Sequence, residues 1–267
     1  MTASTSERRD APRGRFHLLA DAFYRIARAA YKHAHSFGAT LGILLLIGAL
    51  LAFAATWGFT HIAEAVMEGE TQAFDERVLR WMEAHQIPLL EQLMVEITML
   101  GTWIVVLTVV GVSGLFLYLS KHKYSALLLI IATTGGIVLN SVLKFGFDRP
   151  RPQVFEWGTH VSSSSFPSGH SMSSVVVFGT VAYLAARLQK SRWARWLTLF
   201  VFGIIIASIA FSRLYLGVHY PSDVAGGMIV GLAWAAFCVA TLEGIQRFAR
   251  RNAKEMMKHE ALPPPQK

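Results

Sequence analysis

The stretch FGATLGILLLIGALLAFAATWGF, Phe37–Phe59, runs without a single charged residue. A helix needs about 20 mostly apolar residues to cross the hydrocarbon core of a bilayer, and this stretch supplies them. Five further candidates follow: Gly101–Ser120, Tyr124–Leu143 (ended by Lys144), Ser168–Ala186, Trp196–Ser212 and about Ser222–Leu242. The pattern predicts an all-α protein, an integral membrane bundle of six transmembrane helices with short connections. Barrel strands would need segments of about ten alternating residues, which these runs are not. Ser168–Ala186 is the least apolar of the six, and its Ser, Thr and Gly content suits close helix packing and hydrogen bonds within the membrane.

Composition agrees with this reading. The 267 residues are 53% hydrophobic and 16% charged, against about 25% charged in an ordinary soluble domain. So apolar a chain is not intrinsically disordered, and the single Cys238 excludes a disulfide scaffold. The net charge of +8 fits either a nucleic-acid binder or a membrane protein with basic cytoplasmic loops. The positions of the cations decide between them. With residue 1 on the cytoplasmic side, nineteen of the 25 Lys and Arg fall on that face, in the leader, two connections and the tail. The opposite face receives Arg77, Arg80, Lys144, Arg149, Arg151 and Arg213. Both termini are therefore expected in the cytoplasm of a plasma (inner) membrane protein, and no nucleic-acid partner is expected.

Residues 1–36 form a basic leader. Leu19, Phe23, Ile26 and Ala30 recur at helical spacing between Arg15, Arg25, Arg28 and Lys32. This is either an amphipathic helix on the anionic inner leaflet or a solvated helix leading into the first span. A charged leader of this length is too long for an ordinary signal peptide. Residues 61–100 hold eight of the seventeen acids, interleaved with Phe74, Val78, Leu79, Trp81 and Met82. Short amphipathic helices over the outer face are expected here, although Pro88–Leu100 could instead extend the second span. The membrane domain then covers residues 37–245, and residues 246–267, with Pro263–Pro265, form a tail expected to be disordered.

Cations on the outer face should be few, so those present need a reason. Four of the six lie in two of three short segments: Lys144–Pro152 and Ser212–Asp223, the third being Phe166–Ser171. The topology puts all three on one face and brings together Lys, Arg, two His and Asp. Pro167 suits a first helical turn, leaving Ser168, Gly169 and His170 with unpaired N–H groups at the positive end of a helix dipole. Gly169 would let an anion approach the backbone closely. Arg151 and Arg213 can fork phosphate oxygens, and Lys144 adds a point charge. Asp223, four residues after His219, can fix its tautomer and make the other ring nitrogen a better nucleophile. His170 is then free to act as general acid. Neither paired Cys nor a carboxylate cluster suggests a metal. Arg149 is ambiguous, since Arg-Pro occurs twice; Ser164 or Ser165 could touch substrate; and His61, His85 and His160 read as surface residues.

These segments resemble the signature K-x6-RP, PSGH and SR-x5-H-x3-D of the type 2 phosphatidic acid phosphatase family, which includes the vanadium haloperoxidases. Lys144, Arg151 and Pro152 match the first motif, Pro167–His170 the second, and Ser212, Arg213, His219 and Asp223 the third. The resemblance covers residues 144–223 and implies catalysis by His219, His170 and Asp223. It implies that Lys144, Arg151, Ser168, Gly169 and Arg213 hold the phosphoryl group. His219 would form a phosphohistidine, and neither metal nor cofactor is implied. The expected activity is removal of a terminal phosphate from polyprenyl diphosphate, phosphatidic acid or phosphatidylglycerol phosphate at the extracytoplasmic face. The partners are the lipid substrate and the bilayer. A phosphotransferase would use the same site, a haloperoxidase would hold vanadate there, and a transporter would need intramembrane carboxylates or broken helices that the sequence does not display.

Overall fold

The computed structural model describes residues 37–153 and 163–260, with backbone alone for residues 37–49, 51, 52 and 247–260. The amphipathic leader, His160 and the Pro263–Pro265 tail therefore lie outside the described residues. The chain divides into two units, Met1–Ile47, of which residues 37–47 are helical, and Gly48–Lys267, which carries everything described below. The described residues form eight helices and no strand: α1 (Phe37–Met67), α2 (Gln72–Ala84), α3 (Pro88–Met99), α4 (Trp103–Leu119), α5 (Lys123–Gly146), α6 (Gly169–Leu188), α7 (Arg192–Tyr215) and α8 (Pro221–Glu260).

Among the described residues, α5, α6, α7 and Pro221–Gln246 of α8 are long and apolar enough to cross a membrane. A fifth span exists if α3 and α4, which meet at 49°, count as one broken element. The 17 residues of α4 reach only about 26 Å alone, short of a hydrocarbon core of about 30 Å. Pro88–Met99, whose place was open between surface and span, is thus a separate helix bent onto α4. Within 61–100, α2 fulfils the amphipathic expectation by burying Asp75, Leu79 and Met82 along one side.

The least apolar span is the most buried. Inside the protein lies 61% of the apolar window of α6, against 17% for α7. A helix wrapped by protein does not need a lipid-facing surface, so Ser171, Ser174 and Thr180 can stay buried on it. Ser174 returns its hydroxyl to the Ser171 carbonyl at 2.9 Å. In contrast, α7 presents Trp196, Phe200 and Ile204 outward.

Glycines set the closest approach in this bundle. A Cβ on Gly227 of α8 would lie 2.5 Å from the Ser168 carbonyl oxygen, and one on Gly231 would lie 2.8 Å from that of Met172. Helix α8 therefore lies directly against the start of α6, as small residues four apart allow. On the other side, Trp234 fills the space over Gly135 and donates its indole N–H to the Ala132 carbonyl at 2.8 Å.

Helix α8 continues past its apolar run to Glu260. The segment QRFARRNAKEMMKHE contains neither Gly nor Pro and is rich in strong helix formers, so nothing stops the helix where the apolar run ends.

The seam predicts a contrast between two substitutions. Gly227→Ala should lower stability by about 1–3 kcal/mol, because its neighbour is backbone and cannot yield. Gly203→Ala on α7, with nothing within 4 Å, should be neutral or stabilising. Thermal unfolding of both variants in detergent, read by tryptophan fluorescence, measures the difference.

Candidate active site

Two helix starts build the site. At the head of α6, Ser168 is the N-cap and the helix proper begins at Gly169, so Pro167 stands outside the first turn, contrary to the expectation. The Ser168 N–H is not free for an anion either, since it donates to the Asp223 carbonyl at 3.0 Å. The first intrahelical bond runs from the Met172 N–H to the Ser168 carbonyl at 3.0 Å, so the N–H groups of Gly169, His170 and Ser171 lack intrahelical acceptors. Ser168 itself is fully buried, with its hydroxyl accepting from Ser171 at 3.0 Å.

At the head of α8, Pro221 opens the helix and Asp223 reaches back to the Tyr220 N–H at 2.8 Å. That return bond is the carboxylate half of a capping box. The same oxygen, Oδ2, accepts from the Ser165 hydroxyl and faces His219 Nδ1 at 3.4 Å. His219 is 2% exposed and Asp223 entirely buried. With Nδ1 turned to the carboxylate, the ring proton belongs on Nδ1 and the lone pair on Nε2. Burial pushes the His219 imidazole down to about 4, although the bonded carboxylate pulls the other way. The ring is therefore neutral at ordinary pH.

Arg151 and Arg213 both act electrostatically on the His219 ring. Arg151 Nη1 lies 3.4 Å from it and also donates to the Val218 carbonyl at 3.0 Å, while Nε and Nη2 hold the carbonyl and hydroxyl of Ser163. Lys144 Nζ donates to the Ser164 carbonyl at 3.1 Å. Arg213 donates to Thr98 of α3 at 2.7 Å, and its buried Nε has no hydrogen-bond partner among the described residues. An unpaired guanidinium N–H in the interior is costly unless an anion completes it. His170 lies within the electrostatic reach of Arg213, His219, Lys144 and Arg151. Its ring packs on Gly101, where a Cβ would come within 2.7 Å of Cδ2. The break between α3 and α4 thus makes the space that His170 occupies.

All eight expected site residues come together: Lys144, Arg151, Ser168, Gly169, His170, Arg213, His219 and Asp223. Ser165 is among the groups bonded to Asp223. His61 and His85 are exposed, stacked on Trp57 and Trp81. Sequence reasoning missed Asn140 and the buried acid Asp75, and it left Arg149 open. Asn140 faces Gly169 and has a buried, unpaired Oδ1 among the described residues. It precedes Lys144 by one helical turn, and a polar side chain inside an apolar run was the available signal. Among the described residues, no group of three or more His, Cys, Asp or Glu is placed to hold a metal.

The described residues thus form a helical bundle that buries His219 and Asp223 near cations and a second imidazole. The family model described as PAP2 superfamily matches residues 123–247. Phosphatidylglycerophosphatase B of Bacillus subtilis is 31% identical over 194 residues, covering 72% of this chain and 95% of that protein. An undecaprenyl-diphosphatase of Sulfolobus acidocaldarius is 30% identical over 179 residues, covering 64% of this chain and 79% of that protein. The crystal structure of a transmembrane PAP2-type phosphatidylglycerolphosphate phosphatase from Bacillus subtilis superposes with a TM-score of 0.69 at 30% identity, over 74% of this chain and 98% of that one. The chain belongs to the PAP2 superfamily. It is a multi-pass membrane phosphatase, a hydrolase of the PAP2 type.

The neutral state of His219 is directly observable. In protein labelled with isotopic histidine, the resonance missing from the His219→Gln variant should stay nearly flat between pH 8 and about 5 and titrate with a midpoint near 4. A midpoint near the ordinary imidazole value of about 6.5 would show that burial does not govern this ring.

Proposed function

We propose that this protein removes the terminal phosphate of a membrane lipid, of the phosphatidylglycerophosphate, polyprenyl diphosphate or phosphatidic acid class, through a phosphohistidine. One observation carries it: a buried imidazole holds Nε2 beside Arg151, with Asp223 behind Nδ1. That is the arrangement of a nucleophile whose target is anionic.

His219 Nε2 donates its lone pair to phosphorus while the bond from phosphorus to the lipid oxygen breaks. His170 gives its proton to the departing oxygen, and the phosphate dianion, drawn to Lys144, Arg151 and Arg213, helps hold that proton on His170 beforehand. The phosphorylated ring is cationic, and Asp223 stabilises it across Nδ1. A water then attacks phosphorus and loses its proton to His170. The electrons of the N–P bond return to Nε2, and inorganic phosphate leaves. Negative charge on the transferring group stays between the three cations throughout, and this preorganised field is the largest rate contribution. The free N–H groups at the head of α6 add to it, whereas Ser168 contributes as the cap that holds α6 to α8.

The relatives named for phosphatidylglycerophosphate and undecaprenyl diphosphate support a lipid substrate, since both names describe an esterified phosphate on a long apolar tail. In the proposed topology α1 provides one span, α3 with α4 a second, and α5 to α8 the rest. Both termini are then cytoplasmic and the site faces the extracytoplasmic side of the inner membrane, in accord with the Lys and Arg distribution.

Phosphate release from short-chain versions of the three lipids should proceed in EDTA. His219→Ala and His170→Ala should each lose activity by about 1000-fold or more. Brief exposure to labelled substrate should leave acid-labile phosphate on the wild type and none on His219→Ala. Transfer of the label to an added alcohol in place of water would identify a phosphotransferase. Single cysteines in the Cys238→Ser background report the topology, and labelling of residue 160 from the cytoplasm would reverse the orientation.

A further inference from the structure

Arg149 and Arg151 stand two residues apart, each before a proline, yet their bonds differ in kind. Arg151 leaves Nη1 beside His219 Nε2. Arg149 has both terminal nitrogens committed. Its Nη1 donates to Ser222 Oγ and Asp223 Oδ1, both at 2.7 Å, and its Nη2 to Asp75 Oδ2 at 2.8 Å and Gln72 Oε1 at 3.2 Å. Its guanidinium also lies over the Tyr220 ring at 4.1 Å. The side chain is 8% exposed, and both carboxylates are fully buried. Asp75 in turn accepts from the N–H of Ser222 at 3.0 Å and from its hydroxyl.

We propose that Arg149 and Asp75 are positioning residues for phosphoryl transfer: the buried Asp75–Arg149–Asp223 chain holds the carboxylate that aims His219. This rests on the role proposed above for His219. The division of labour on Asp223 is physical. Oδ1 is occupied by Arg149, so Oδ2 alone faces His219, Ser165 and the Tyr220 N–H. A carboxylate free to rotate would share its oxygens among these donors and lose the direction of the imidazole. Arg149 also supplies the positive charge that lets two buried carboxylates coexist across Ser222. Asp75 sits on α2, so the amphipathic segment outside the bundle reaches the nucleophile through this chain.

The charged groups facing Asp223 come from several elements. Arg149 and Arg151 belong to the segment after α5, Lys144 to α5 itself, and His219 to the turn before α8. Asp75 approaches from α2 through Ser222, and Arg213 of α7 acts on His219 and Lys144. Losing Arg149 removes the cation in direct contact and leaves Asp75 opposite. Asp223, held low in part by Arg149, then takes up its proton at a higher pH than before.

The test uses the full chain in detergent micelles with short-chain phosphatidic acid, comparing Arg149→Gln, Arg149→Lys and Asp75→Asn. Arg149→Gln should lower kcat by about 100-fold with KM changed by less than about threefold, as expected of a group that orients the machinery without touching substrate. The acid limb of its kcat/KM profile should move up by about one pH unit. Arg149→Lys should recover part of kcat, and Asp75→Asn should lose less than Arg149→Gln with no upward movement of the limb. A rise in KM at unchanged kcat would make Arg149 a substrate ligand and overturn the proposal. So would a wild-type kcat and pH profile per folded molecule in a destabilised Arg149→Gln; if that variant does not fold, the same outcome in Arg149→Lys and Asp75→Asn decides equally. Failure of the underlying role looks different: His219→Ala would then retain activity.

Discussion

The short link between the starts of α6 and α8 is the contact on which the rest depends. The Ser168 N–H meets the Asp223 carbonyl, and Gly227 lies flat against the Ser168 carbonyl. A peptide group buried in a bundle must find a partner or cost free energy, so each helix start satisfies a polar group of the other. This fixes two helices whose first turns carry His170 and Asp223. The glycine seam below holds them close enough that neither can slide. Lys144, Arg151 and Arg213 are then arranged around a frame that already exists.

Around that frame the polar interior is extensive for a membrane bundle. Asp75, Arg149, Asp223, Ser165, Ser222 and His219 form one connected network, each member bonded to another. Isolated charges at such burial would not stay ionised, but a connected set can, because every cation has a carboxylate and every carboxylate several donors. Helix α3 and the residue before it make separate bonds to α7. Tyr215 accepts from the Ile87 N–H at 2.9 Å, and Thr98 takes Arg213. Helices α2 and α3 thus bear on the candidate site, α2 through Asp75 and α3 through Thr98, although the sequence reads them as amphipathic surface helices or, for Pro88–Leu100, as an extension of the second span.

Much of this was legible in advance, for a physical reason. Spans announce themselves by length and hydropathy, and α5 to α8 all contain the expected runs. The catalytic segments announce themselves by cations placed where a membrane protein carries few. What stayed hidden depends on partners distant in sequence. Arg149 and Arg151 have the same local context, and only the structure distinguishes a guanidinium enclosed by acids from one lying beside an imidazole. Asp75 was one acid among eight in a polar segment, and its burial depends on Arg149, 74 residues further on. Helix ends were the other weak point. Apolar runs mark the depth of a membrane, not the end of a hydrogen-bond ladder, so α1 and α8 continue beyond theirs.

The return bond from Asp223 to the Tyr220 N–H begins α8 and also sets the acid behind His219. On the proposed mechanism, folding and catalytic alignment are one local event, and a chain that has wound the first turn of this helix has already oriented its nucleophile. Sequence drift that spoils the alignment also frays the helix, where cellular proteolysis can find it.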